Sequence, residues 1–461
     1  MTDYKKYSFW LDTLGEDLAP RPPLQRSAEV DVAVLGAGFS GLWTAYYLLR
    51  ENPGLRVAVV EKEISGYGAS GRNGGWCSSK FPVTPAELER RYGRDAARAL
   101  MLAMYDTVDE VARVCEEEQM DAQFRMGGIL TLARGAHQAP RLRAAQAGYE
   151  RLGLGDRHAL LSAAEAAERV RVTNVQGALF AAHNASVNPG RLVRGLARAV
   201  ERRGGVIYEQ TEVTQFAGGA APRLVTLGGE LRAKKTIVLA GEAYLSRLPA
   251  LHRAILPMYS LIAVTEPLSS AQWAQIGWER RESLASFRHT VDYLTRTADG
   301  RILFGSRGAP YLFGSKINDE QDRHATTHEK IHRYVAEWFP MLRDVKFTHA
   351  WGGPVGMPRD WMPMASFDAA SRIATARGYT GQGVSTTNLL GRILAELISE
   401  KRTGLSALPV AQRRSPNWEP EPLRWLAVRY AQSTFLRMDE CEESGRRRPW
   451  HSFIADQIGK H

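Results

Sequence analysis

Residues 30–41 read VDVAVLGAGFSG and run directly into LWTAYYLLR. An apolar run that ends in glycines spaced GxGxxG and opens on a helical apolar pattern predicts strand, tight turn and helix. Gly36 permits the turn, Gly38 lets the backbone approach a pyrophosphate, and Gly41 lets the helix pack on the strand. The unpaired N–H groups at the positive end of that helix favour phosphate. A second apolar strand over residues 56–60 ends at Glu61, whose carboxylate is placed to accept hydrogen bonds from ribose hydroxyls. An acid there fits an unphosphorylated ribose, so FAD or NAD is expected rather than NADP.

The chain has 461 residues, beyond the size at which one core stops growing, so more than one domain is expected. Hydrophobic content of 44% and charged content of 24% are ordinary for a globular protein. The net charge of +10 and pI near 9.5 raise the question of an acidic partner. Basic residues are dispersed, however, with no run longer than Arg446–Arg448 and no aromatic-interleaved basic module, so nucleic-acid binding is not expected. Cys77, Cys115 and Cys441 are too far apart for a CxxC metal site and odd in number for a disulfide framework. No segment is apolar for long enough to span a bilayer, and the expected setting is reducing and cytoplasmic.

From residue 1 to 26 a proline-containing arm leads to the first strand. After Glu61 comes a glycine-rich loop, SGYGASGRNGGWCSSKFP, whose backbone must pass close to something. Thr84, Pro85 and Glu87 then have the pattern of a capped helix start, opening a long amphipathic region to about Met120. FRMGGILTLA over 124–133 reads as a strand broken by a glycine pair. NPGRLVRGLARAVERR from Asn188 is a capped helix, and KTIVLA over 235–240 a buried strand that returns the chain to the parallel sheet. Short alternating strands from Ile255, with a turn at Asp299 and Gly300, suggest an antiparallel sheet. His324, His328 and His332 share one helical spacing and are expected on a solvated face, with no metal. In the last third RGYTGQGV places a second glycine loop before a helix from about Val384 to Glu400.

With glycine loops at both ends, the sequence resembles the FAD-dependent D-amino acid oxidase superfamily, which includes glycine and sarcosine oxidases and gamma-glutamylputrescine oxidoreductase. The resemblance rests on VDVAVLGAGFSGLWTAYYL, VVEK, GYGASGRNGG, IVLAGEAY, DGRILFGSRGAPY, WGGPVGMPRDWMPM and RGYTGQGV. It implies an α/β protein, α+β overall: a Rossmann-like FAD-binding domain with a discontinuous substrate domain on an antiparallel sheet. The expected boundaries are 27–83, 186–250 and 350–405 for the FAD-binding domain, 84–185 and 251–349 for the substrate domain, and 406–461 for a C-terminal extension.

The resemblance also implies a site. Gly36, Gly38, Phe39, Ser40 and Gly41 would hold the pyrophosphate, with Glu61 and Lys62 at the adenosine. Ala69, Ser70, Arg72, Asn73, Gly74 and Gly75 would line the flavin and phosphates, Val213 would meet the adenine, and Ala240 and Gly241 would close the cradle. Gly352, Gly353, Gly381, Gln382, Gly383 and Val384 would enclose the isoalloxazine. Some sarcosine oxidases tether FAD through a cysteine in the region matching 305–310, and others in the superfamily through a histidine in the early loop. This chain has Ser306 in the first and Arg72 and Asn73 in the second, so noncovalent FAD is expected.

The implied chemistry is oxidation of a small amine or amino acid, with hydride passing to flavin N5 and dioxygen as acceptor. The N–H groups of residues 381–384 would stabilise charge on the reduced ring. Trp76, Tyr259 and Trp351 are candidate substrate-facing aromatics, and Arg72, Arg288 and Arg307 are candidates to bind a substrate carboxylate. Cys77 reads as packing. The alternatives are an amine dehydrogenase with another electron acceptor and an FAD-containing tRNA-modifying protein.

Overall fold

The computed structural model of the chain describes residues 2–459. Its first sheet grows from the opening stretch. Strand Ala28–Leu35 lies between Val57–Val60 and the 11-residue strand Gly229–Leu239, parallel to both. Val206–Tyr208 and Ile373–Arg377 extend the parallel order outward on the two sides. The central strands are covered on both faces, which is why they read as unbroken apolar runs instead of alternating ones. Antiparallel additions finish the eight-stranded sheet: Arg223–Thr226 beside Gly229–Leu239, Val213–Ala217 beside that, and Met364–Asp368 beside Ile373–Arg377. Helices Pro189–Arg202 and Gly383–Ile398 both pack on Phe39–Glu51, the helix that follows the first glycine turn.

A second eight-stranded sheet runs in the order Phe347–Met357, Leu256–Thr265, Ile302–Arg307, Asp292–Arg296, Ser283–Ser286, Ile129–Arg134, Val175–Ala181, His158–Leu161. It is antiparallel except between Ser283–Ser286 and Ile129–Arg134. A three-stranded ribbon, Trp76–Ser78, Asn184–Ser186 and Arg125–Met126, lies between the chain's first exit from the parallel sheet and its return.

Local sequence rules explain most element ends. Thr84 Oγ1 accepts from Glu87 N at 3.3 Å and starts helix Pro85–Tyr92. The amphipathic region is two helices, not one, because Gly93 at φ +81° breaks it before Arg94–Glu117. Gly127 and Gly128 divide the expected 124–133 strand between two sheets. A Cβ on the first would stand 2.5 Å from the Arg280 carbonyl oxygen.

The histidine expectation is corrected for His328, whereas His332 is exposed as expected. Helix Ala325–Trp338 packs over strands Leu256–Thr265 and Ile302–Arg307, so the face bearing Thr327, Ile331 and Val335 buries His328 as well. His328 Nε2 lies 3.2 Å from the Trp351 carbonyl oxygen, and burial lowers its pKa. His332 stacks on Phe347 with ring centroids 3.8 Å apart, and His324 precedes the helix.

Both termini do more than flank. In the N-terminal arm Ser8 Oγ donates to Gly71 O at 2.8 Å and Trp10 Nε1 to Asn73 O at 2.7 Å. Phe9 and Trp10 pack with Ile262, Val264, Leu303 and Trp351 of the second sheet, so the arm wedges beneath the early glycine loop. At the other end, helices Leu423–Glu443 and Ser452–Gly459 pack together. Among the described residues no helix is long and apolar enough to cross a membrane.

Candidate active site

A cavity of about 870 Å³ is lined by the ends of the parallel strands, by the second sheet and by the C-terminal helices. At its first end Gly36 turns at φ +101°, and a Cβ there would stand 2.8 Å from Ala240 O. Gly38 begins helix Phe39–Glu51 with no side-chain cap, which leaves the helix end open to an anion. Phe39 N is the exception, donating to Ser70 Oγ at 2.8 Å, which fastens the early loop to the helix start. Ser40 Oγ donates to Tyr379 OH at 2.7 Å, linking that start to the late glycine loop.

Glu61 enters the same cavity from the end of its strand, accepting from Ala37 N at 2.9 Å and Glu63 N at 3.1 Å. Burial pushes its carboxyl up to about 7, against the pull of those two bonds. Lys62 reaches out to Glu212 at 2.8 Å, and Val213, Ala240 and Gly241 line the cavity beside them.

Of the early-loop residues, Ala69, Ser70, Arg72, Asn73 and Gly74 line the cavity. Asn73 holds the loop in shape, donating to the carbonyls of Ala69 and Ser70 and accepting from Gly75 N at 2.8 Å. Gly74 is needed for space: a Cβ would stand 2.5 Å from the Tyr293 ring. At the other end Gly381, at φ +94°, Gln382, Gly383 and Val384 line the cavity, and helix Gly383–Ile398 starts without a side-chain cap. Gln382 N is committed to Tyr379 O at 2.9 Å, so it is not among the N–H groups free for a ligand.

Several expected site residues lie elsewhere. Gly41 packs inside the turn, where a Cβ would stand 2.0 Å from Gly36 O, and a Cβ on Gly75 would meet Val187 O at 2.5 Å. Gly352 faces Asp322 and Leu261, while its neighbour Gly353 lines the cavity. Tyr259 does not line it: strand alternation turns Met258 and Ser260 inward and Tyr259 to the opposite core, where its hydroxyl bonds Asn318 N at 2.8 Å. Trp351 lies beneath the loop with its Nε1 on Arg72 O at 2.8 Å. Of the three aromatics only Trp76 lines the cavity, held by Thr295 Oγ1 at 2.9 Å.

The arginines also separate. Arg72 is buried between Tyr67 and Tyr7, with its guanidinium on Asp322 at 2.5 Å, Tyr67 O at 2.6 Å and Gly352 O at 3.3 Å. Arg288 pairs with Glu443 at 2.9 Å and donates to Tyr334 OH at 3.0 Å. Arg307 donates to Thr380 O at 2.9 Å, and no carboxylate among the described residues lies within 4.0 Å of it. Its Nη2 would be 3.6 Å from a Cβ on Gly381, so its charge lies against the late glycine loop.

These residues place an uncapped helix N-terminus, a desolvated carboxyl beside it and a second uncapped helix N-terminus around one cavity. The family described as DAO, FAD dependent oxidoreductase, matches residues 31–397. The chain belongs to this family. Gamma-glutamylputrescine oxidoreductase of Escherichia coli (strain K12) is 30% identical over 382 residues, covering 82% of this chain and 86% of that one. The crystal structure of glycine oxidase from Geobacillus kaustophilus superposes with TM-score 0.68 at 22% identity, over 84% of this chain and 99% of that one. L-proline dehydrogenase from P. horikoshii superposes with TM-score 0.67 at 20% identity, over 85% and 96%. The last two show a shared fold.

As a DAO-family protein the chain takes FAD, and its residues fit that cofactor. The helix start at Gly38 has no side-chain cap and so suits an anion such as a pyrophosphate, the desolvated Glu61 carboxyl lines the same cavity, and side chains at 36 and 74 would collide with Ala240 and Tyr293. Sequence reasoning missed two further residues here. Lys80 lines the cavity with no carboxylate within ion-pair distance among the described residues, and burial lowers its pKa while Asp292 opposes that shift. Glu242 accepts from Gly378 N and Tyr379 N, each at 3.1 Å, and so anchors the late glycine loop to the end of strand Gly229–Leu239. The signal for Glu242 was an acid directly after a strand-ending glycine; Lys80 had none.

Proposed function

We propose that the protein oxidises a small primary or secondary amine, with an amino acid as the favoured form, and that dioxygen is the electron acceptor. The observation that carries this reading is the pair of cavity cations without carboxylate partners, Arg307 and Lys80, at a site that takes FAD. A half-buried cation lining a cavity without a counter-ion favours an anionic ligand group, and a carboxylate can bond the Arg307 fork in two-pronged fashion. Positive charge nearby also disfavours a substrate ammonium and promotes the free amine, the form able to release hydride. When bound, FAD supplies the hydride acceptor. The oxidised substrate leaves as an imine, which water converts to a carbonyl compound and an amine or ammonia.

The free N–H groups of Gly383 and Val384 and the positive end of their helix favour negative charge where the isoalloxazine is expected, and Arg307 beside Gly381 adds to that field. FAD is proposed to be held without a covalent bond, since none of Cys77, Cys115 and Cys441 lines the cavity and Ser306 Oγ is hydrogen-bonded to Val291 O. Yellow colour remaining on the denatured polypeptide would contradict this.

The test is an anaerobic screen of amines and amino acids that follows loss of flavin absorbance, repeated under air with detection of hydrogen peroxide. A bleached flavin without peroxide would replace dioxygen by another acceptor, and no bleaching by any compound would overturn the amine reading. Arg307→Met is expected to raise KM for an amino acid at least tenfold, with the corresponding decarboxylated amine changed less than threefold. Equal changes for both would remove the carboxylate role.

A further inference from the structure

The family match ends at residue 397, yet the cavity does not end with it. Helix Leu423–Glu443 presents Val428, Ala431, Gln432, Phe435 and Leu436 to the cavity, a spacing of three and four residues that forms one stripe. Facing them are Met258, Val355 and Met357 from the second sheet. Both walls are apolar. The one polar side chain in the stripe, Gln432, accepts from Tyr311 N and donates to Ala309 O, each at 3.0 Å.

The helix is fixed in place by a set of polar bonds, most of them part-buried. Asp439 accepts from His289 N at 2.8 Å, Thr290 N at 2.9 Å and Thr290 Oγ1 at 2.7 Å. Glu442 pairs with Arg141 at 2.7 Å and Glu443 with Arg288 at 2.9 Å. Trp418, just before the helix, donates to Met357 O at 2.7 Å. His289, Asp439 and Glu442 lie close enough to suggest a metal site, but Arg141 also donates to His289 Nε2 at 2.8 Å, and two arginines occupy Glu442. The cluster is a clamp that holds an apolar wall against the cavity.

We propose that helix Leu423–Glu443 is the specificity wall of the substrate pocket, and that the substrate carries an apolar alkyl or aromatic side chain lying along Val428, Ala431 and Phe435. This rests on the cavity holding the substrate of the proposed oxidation, so the test separates binding from turnover. Straight-chain carboxylates of increasing length, which cannot give up an amine hydride, would be titrated into the FAD-loaded protein and their Kd read from perturbation of the flavin spectrum.

In the wild type, Kd is expected to fall about fourfold per methylene, the value of burying that group, until the channel is full. In Ala431→Phe the gain should stop several methylenes earlier, and in Phe435→Ala it should continue further. FAD content and the visible spectrum report whether each variant is folded. If Ala431→Phe does not load FAD, Phe435→Ala alone decides. A Kd independent of chain length, or a length dependence that neither variant shifts, would overturn the proposal. A clear length dependence in a protein whose flavin no amine reduces would retain the wall and remove the reaction.

Discussion

Glu61 combines a local sequence signal with a consequence that only burial creates. Its place after a short apolar strand makes it the candidate ribose acceptor proposed for this site, and its carboxyl is pushed up to about 7, from an ordinary value of 4.5, because burial desolvates it. In the apoprotein a raised carboxyl contributes stability that is present below about pH 4.5 and lost as pH rises to 7. Ribose hydroxyls donate to the ionised form, so FAD binding should release a proton below pH 7. The expected outcome is FAD affinity that strengthens by roughly tenfold per pH unit up to 7 and then levels, with Glu61→Gln flattening the profile. Fluorescence titration of the apoprotein between pH 5.5 and 8 measures it, and a flat wild-type profile would reject the assignment. The sequence offered Arg307 only as one of three candidate arginines and did not mark Lys80 at all. Their importance lies in carboxylates that are missing around them, and every candidate partner comes from a distant part of the chain. Tyr259 illustrates the complementary limit: a strand fixes that neighbours alternate, but which set faces the cavity depends on the helix covering the other side.

At the level of elements, turns and caps were the legible part because they obey rules that span three or four residues. The first glycine turn is the strictest case. A Cβ at Gly41 would stand 2.0 Å from Gly36 O, a backbone atom of the same turn that cannot move aside. Gly41→Ala should therefore cost on the order of 3 kcal/mol, read as a lower urea midpoint at unchanged slope. Gly54→Ala is its control: nothing lies within 4 Å of that position, and the change should stay within about 0.5 kcal/mol. Equal losses at the two would contradict the packing argument. The late loop depends on a longer-range element, since Glu242 holds Gly378 N and Tyr379 N from the end of the neighbouring strand. Glu242→Ala is expected to weaken FAD binding about tenfold, the loss of roughly one net hydrogen-bond energy. Unaltered FAD affinity in a folded variant would show that the loop holds its shape without this anchor.

Over the whole molecule, the chain contributes to the parallel sheet, leaves for the second sheet, and does so again before its last return. Alternation of helix and strand around the glycine turn made the first sheet readable, and short strands around Asp299 and Gly300 indicated the second. The contribution of the termini was not readable, because the packing of Phe9 and Trp10 against strands some 250 or more residues away leaves no periodic mark. Yet the arm is where the two sheets and the FAD loop meet. Trp10 is 2% exposed, packs on Ile262, Val264, Leu303 and Trp351, and donates to Asn73 O, the residue that shapes the loop. Trp10→Ala should cost about 3–5 kcal/mol from the space left behind. It should also raise the Kd for FAD at least tenfold, because Asn73 loses its outer support. The two effects can be separated by measuring unfolding with and without cofactor. FAD at 100 times its Kd adds about 2.7 kcal/mol to any protein that binds it only when folded. At one fixed FAD concentration chosen for the wild type, the variant should gain less than that. A variant that is less stable yet gains the full increment would show that the arm supports the fold without shaping the cofactor site.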